Sequence, residues 1–411
     1  MSKHIYHTID REQLAKDLDE IRTEVLADLG DEDVKYLKKI ERWGRICTAL
    51  GYGTAWIIPN PISAYLISQG STTRWTTIAH HITHRAYDRI EGMPKNYTSK
   101  GFARGNRRFL DWMEWMVPEA WDKEHNDLHH YNLGEQADPD QVEFNMEEFL
   151  SIKMPTPVRY VFLFFMACTW KFLYYAPSTL KELRNFTAKK AGKPVPEYSR
   201  ADEWNPLKPE GWELWSQCLL PYIGFRFVLF PLLFIPIGIL TAMGGAVAAM
   251  NVLINSLMAE VFANLHTFLI IGTNHVGEDL FIFEEKAKSK GEYYLRQILG
   301  STNFATGTDR IDFLHGWLNY QVEHHLWPDM PLSRYQRAQP KVKALCEKYG
   351  LPYTQESVFK RLWKTLDVMT GKTKMLRPST VNNQLVVEGQ AVESSVDELI
   401  EDVAVVPVQM K

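Results

Sequence analysis

The thirteen histidines constrain this chain more than any other feature, because most of them sit in polar segments that apolar runs keep far apart along the sequence. They stand as His80-His81-x-x-His84, His125-x-x-x-His129-His130, lone His266 and His275, then His315 and the pair His324-His325, with only His4 and His7 outside the pattern. A fold in which they act together must bring three distant polar segments to one place and stack the apolar runs beside them. The densest stretch is His315-Gly-Trp-Leu-Asn-Tyr-Gln321-Val-Glu-His324-His325-Leu-Trp-Pro328. A glutamine, two spacers and a histidine pair is a metal-binding spacing with little other use.

The averages over 411 residues, 23% charged with a net charge of -4, are those of a soluble protein. The charges are concentrated in the tails and between apolar runs, so the local pattern has to be measured against the roughly 20 apolar residues that span a bilayer. A near-neutral balance supplies no basic face for nucleic acid. The four cysteines lie far apart with no C-x-x-C spacing, which excludes a disulfide or zinc-finger framework and leaves free thiols in a reducing environment. Met-Ser-Lys-His-Ile-Tyr-His lacks the apolar core of a signal peptide, which puts the start of the chain on the cytosolic side.

Residues 8–30 carry Leu14, Leu18, Ile21, Val25 and Leu29 at helical spacing, an amphipathic helix that Gly30 can end. Apolar runs at 46–58 and 62–79, joined by Pro59-Asn60-Pro61 and flanked by basic residues on both sides, form a hairpin that returns to the side it left. Further apolar stretches lie at 158–176, 218–242 and 246–272. If His130 and His275 share one centre, the chain crosses the membrane an even number of times between them, so one of these three does not span. Arg159 and Lys171 interrupt the first, and Lys181, Arg184, Lys189, Lys190, Lys193 and Arg200 follow it, so 158–176 is expected to be interfacial or buried in the cytosolic part. The other two form a hairpin through Thr241-Ala-Met-Gly-Gly.

On an α-helix, residues four apart lie one turn above each other, so His80 and His84 can face one ion, as can His125 and His129. His130 then points about 100° away and serves a second ion. His324-His325 repeats that adjacent pair, with Gln321 a near-turn earlier on the face of His324. His275, among polar Asn274, Glu278 and Asp279, is favoured as a ligand over His266, which lies on the opposite face. His81 and His315 are further candidates, as ligands or as groups that orient one. Imidazole suits iron, zinc or copper.

These motifs resemble the membrane-bound fatty acid desaturases. Gln321-Val-Glu-His324-His325-Leu-Trp-Pro is similar to the third histidine box of front-end desaturases. Asn303-Phe-Ala, Gly316-Trp-Leu-Asn-Tyr and Pro340-Lys-Val-Lys-Ala-Leu-Cys-Glu-Lys-Tyr-Gly-Leu-Pro-Tyr match the stretches around it. His80 to His84 resembles the first box, Trp121-Asp-Lys-Glu-His125 to His130 the second, and Asn274-His275-Val-Gly-Glu278-Asp279 the family's additional histidine. The resemblance covers roughly residues 40–360. It implies an all-α bundle of about four transmembrane helices capped by a cytosolic helical domain, with both termini and the site on the cytosolic side. It also implies two iron ions held by His80, His84, His125, His129, His130, His275, His324 and His325, with Gln321, His81, His315 and His266 left as possible ligands or supporting groups. The domains would be an N-terminal amphipathic segment at 1–42, the desaturase domain at 43–375 and an acidic disordered tail at 376–411.

The chain departs from relatives in several places. No His-Pro-Gly-Gly haem motif occurs, so electrons are expected from a separate carrier such as ferredoxin or cytochrome b5. His81 stands where the first box often has an acid, and His315 where relatives often have glycine. The implied reaction is O2-dependent insertion of a cis double bond into a fatty acyl chain, carried as a thioester or a glycerolipid. Trp75, Trp112, Trp115, Trp317 and Trp327 are candidates to line an acyl channel. The alternatives are a hydroxylase on the same scaffold and, in a different class, a membrane zinc-binding or zinc-hydrolase protein. The soluble carboxylate type needs Glu-x-x-His pairs, and no histidine here has that partner.

Overall fold

The structure, a computed structural model, describes residues 9–381 and 384–388. His4, His7 and the acidic part of the expected tail from 389 onward lie outside the described residues. The described residues are mostly helical. An antiparallel pair, Arg377–Val381 with Gln384–Glu388, is formed where the sequence shows no clear alternation.

The first helical hairpin is built as its turn chemistry requires. Helix Asp31–Ala55 ends before Pro59-Asn60-Pro61, and the Asn60 side chain accepts from the Ser63 N–H to start the second arm, with Pro61 at its first position. The arms touch closely at Gly70, where a Cβ would stand 2.0 Å from Thr48 Oγ1. The carbonyls freed at the turn are capped from another helix: the Asn255 amide donates to Ala55 O (2.8 Å) and Ile58 O (3.0 Å), and its oxygen accepts from Asn60 N. Small residues, Ala55, Ala64, Val252 and Ala259, fill the seam between these helices.

Among the described residues, two helices are long and apolar enough to cross a membrane, Pro209–Leu240 and Gly245–Ile271. Neither arm of the first hairpin nor the 158–176 stretch is among them. Ala242 and Gly244 adopt positive φ in the tight turn between the two. The hairpin and these helices expose apolar side chains outward, among them Ile46, Ile58, Ile62, Leu229, Leu233, Ile239 and Met250. Residues 156–190 form one further helical stretch with a widened turn at Lys171–Tyr175. Its Val161, Phe164 and Phe165 are exposed, whereas Lys171 is buried between Glu114 (3.1 Å) and Glu260 (3.4 Å).

Several polar segments pack on one another: helix Arg11–Leu26 lies against helices Lys290–Leu299 and Leu332–Lys348. In helix Arg11–Leu26, Leu14, Leu18 and Val25 are buried, which is the amphipathic face expected of residues 8–30, and Asp10 caps it. Arg334 of helix Leu332–Lys348 is buried against Asp33 and also bonds Asp28 and the Val25 carbonyl. The four cysteines are free, Cys218 and Cys346 buried, Cys47 and Cys168 half-buried.

Candidate metal centre

Eight histidines converge in two adjoining groups. His80, His84, His125, His130 and His324 form one, and His129, His275 and His325 the other. The rings of His130 and His325 stack across the boundary at 4.2 Å. His80 and His84 fall in one group, as four-residue spacing on a helix requires.

The second cluster pairs differently from an α-helical reading. His125 shares its group with His130, and His129 points to the other. The cause is the winding: Asp122–His129 is a π-type turn, and His130 N–H donates to His125 O, so residues five apart stack. A similar widened segment, Thr73–Ala79, leads into His80. Gln321 also departs from expectation. Its amide lies 2.8 Å from His275 Nε2, in the group of His325 rather than on the face of His324, because four residues separate it from His325 on helix Gln321–Leu326.

Five of the eight rings, those of His80, His129, His275, His324 and His325, are oriented by a partner on Nδ1, whereas Nδ1 of His125 and His130 is buried without one. His80 Nδ1 lies 3.1 Å from Thr76 O, His275 Nδ1 3.0 Å from Gly300 O and His129 Nδ1 2.9 Å from Asp138 Oδ1. Tyr335 OH and the Gln297 side chain hold His324 and His325, each at 3.1 Å. Asp138, Gln297 and Tyr335 belong to no sequence motif singled out above, and they meet the histidines only in the fold. Around the third cluster, Asn303 accepts from Val322 N–H and donates to Glu323, which also accepts from Tyr353 OH (2.7 Å). This clamp explains why the flanking stretches at 303 and 353 accompany the histidine pair.

Burial holds the imidazoles of His80, His84, His125, His130, His324 and His325 well below the ordinary histidine range. It brings His275 down to about 3. Burial also opposes charge on His129, yet Asp138 outweighs it and the net shift is upward. Neutral imidazoles offer lone pairs. His80 Nε2 and His125 Nε2 are 2.9 Å apart, and His130 Nε2 and His324 Nε2 3.1 Å. Such spacings suit ligands near right angles about one ion with bonds of about 2.1 Å. His84 Nε2, His325 Nε2 and Gln321 Oε1 are buried with no hydrogen-bond partner, a donor set that a metal would satisfy.

The remaining candidates stand outside both groups. His81 is buried beside His324, its Nδ1 on Thr77 O and its pKa lowered by burial to about 4. His266 bonds Leu314 O (2.7 Å), and His315 bonds Ile311 O with its ring near Phe304. The last two tie the long helix Gly245–Ile271 and the lead-in to the third cluster in place.

A cavity of about 580 Å³ opens from the histidines. His80, His125, His129, His275 and Gln321 line it at one side, Trp75, Trp121, Trp170 and Phe268 form aromatic walls, and Phe149, Phe162 and Ile152 stand farther along. Of the five tryptophans proposed for a channel from the sequence, Trp75 alone lines this cavity. Trp112, Trp317 and Trp327 are core residues, and Trp115 donates to Glu260 Oε1 (2.7 Å).

The sequence profile of the fatty acid desaturase family matches residues 54–357, and the chain belongs to that family. It is 32% identical over 144 residues to an NADPH-dependent stearoyl-CoA 9-desaturase of Mycobacterium tuberculosis, covering 34% of each chain. It is 34% identical over 98 residues to a delta(5) fatty acid desaturase of Caenorhabditis elegans, covering 24% of this chain and 21% of the relative. It is 30% identical over 107 residues to an acyl-lipid (9-3)-desaturase of Borago officinalis, covering 26% of this chain and 23% of the relative. The matched stretches thus span between 21% and 34% of these curated relatives. No solved structure gives a significant match.

Proposed function

We propose that the protein is a membrane enzyme that inserts a cis double bond into a fatty acyl chain. The observation that carries this reading is the meeting of two buried imidazole groups with an apolar cavity. On this reading the apolar helices form a four-helix membrane bundle, with the polar segments, the site and both termini on the cytosolic side. His80, His84, His125, His130 and His324 would hold one iron, and His129, His275 and His325 with Gln321 the other. The two irons, when bound, supply the O2-dependent oxidation that no side chain can perform. Two vicinal hydrogens leave the chain and O2 is reduced to two waters, with two electrons from a separate carrier such as ferredoxin or cytochrome b5 and two protons from solvent.

The chain's own residues position and shield. Trp75, Trp121, Trp170 and Phe268 exclude water and confine a flexible hydrocarbon beside the histidines, which reduces its freedom before reaction. Asp138 fixes the ring of His129 and makes it a stronger donor. The Asn303–Glu323–Tyr353 clamp fixes the helix that carries Gln321, His324 and His325.

Lipid profiling of a host that expresses the chain tests this reading. A new unsaturated acid is expected with the wild type and none with His324→Ala, which should still insert in membranes. A hydroxylated acid in its place would assign the chain to the hydroxylase alternative, and equal product from both proteins would refute the ligand assignment.

A further inference from the structure

We propose that Arg108 forms a phosphate-binding site at the membrane–water boundary, separate from the histidine centre. Its Nε and Nη2 atoms are buried and have no hydrogen-bond partner. These two atoms make up the side edge of the guanidinium, which grips an oxyanion through two parallel N–H bonds. Arg107, its neighbour, uses that same edge on Asp111, with Nε and Nη2 each 2.8 Å from a carboxylate oxygen. Among the described arginines with buried, unpartnered nitrogens, Arg159, Arg184 and Arg361 make other hydrogen bonds and Arg226 ion-pairs with Glu260. Arg108 does neither.

The surroundings point to a lipid-borne phosphate. Phe109, whose ring centre lies 5.5 Å from the guanidinium, is 48% exposed, and Leu110 is 81% exposed. Such a pair beside a cation suits insertion at the headgroup level, where phosphate is the available oxyanion. The other groups that act on the guanidinium are the Cys218 thiol and the Glu119 carboxylate, and Glu119 makes no ion pair with it. Cys218, which acts on the guanidinium, is the first residue of the apolar run 218–242. Burial pushes the Arg108 pKa down, the expected cost of a charge whose partner is missing.

Melting curves of delipidated protein in detergent separate the sources. Dioleoylphosphatidylglycerol is expected to raise the wild-type melting temperature by several degrees, and dioleoylglycerol, which lacks phosphate, is not. The same rise with inorganic phosphate alone would assign the site to free phosphate. Arg108→Gln should lose the response, and Arg108→Lys, which keeps the charge without the fork, should need roughly tenfold more lipid. If Arg108→Gln does not fold, Arg108→Lys decides. A wild-type response in either variant, or equal effects of the two lipids on the wild type, would overturn the proposal.

Discussion

The two histidine groups use the same side chain and differ in number and anchoring. Five imidazoles meet in one, all held neutral by burial. The other has three, one of them tied to the Asp138 carboxylate, with the Gln321 amide where another imidazole would complete the set. A five-imidazole group nearly fills the shell of a six-coordinate ion. Three imidazoles and an amide leave more positions open, so on the proposed reading the poorer group holds its ion more weakly and is the more accessible to O2.

The largest expected effect is on the metal-free protein in acid. His81, lowered to about 4, and His275, lowered to about 3, are neutral when folded, while unfolded histidine protonates near 6.5. The unfolded state therefore binds more protons below about pH 6.5, and stability falls as pH drops from there towards about 3 to 4. His129 has the opposite sign, since its raised pKa stabilises the fold below about pH 6.5 and that contribution is lost as pH rises through its folded pKa. Melting temperatures of the metal-free protein should thus fall steeply with acid, and His129→Gln should lower them further below about pH 6.5, by an amount that does not change with pH there. A flat profile would show that the imidazoles are not buried as described.

Ligand deletion comes next. His275→Ala leaves two imidazoles in its group and should drop iron to about one per chain, whereas His84→Ala leaves four and should keep nearer two. Equal losses would erase the contrast between the groups. Asp138→Asn should weaken the iron of the three-imidazole group by about 10–100-fold, read by chelator titration, and leave the other iron in place. The smallest change is Gln321→His, which should slow iron loss to chelator; no change would make Gln321 a spacer.

Much of this was legible in the sequence, for reasons that particular residues make plain. Ligand type and clustering are local, so the eight histidines could be named before their positions were known. The pairing of His125 with His130 was not legible, because it depends on a π-type turn that spacing rules for an α-helix do not contain. The placement of Gln321 likewise turned on whether His324 or His325 shares its face. Asp138, Gln297 and Tyr335 come from separate segments and meet the histidines only in the fold. Trp170 lies in a stretch read as interfacial or buried in the cytosolic part; it walls the cavity, and Lys171, next to it, is buried among acids.

The most direct measurement is metal analysis of the wild-type protein purified from iron-replete cells. About two irons per chain, lost in part with His275→Ala, is the expected result for two imidazole groups of this kind. Zinc alone, in a protein inert towards O2, would contradict it.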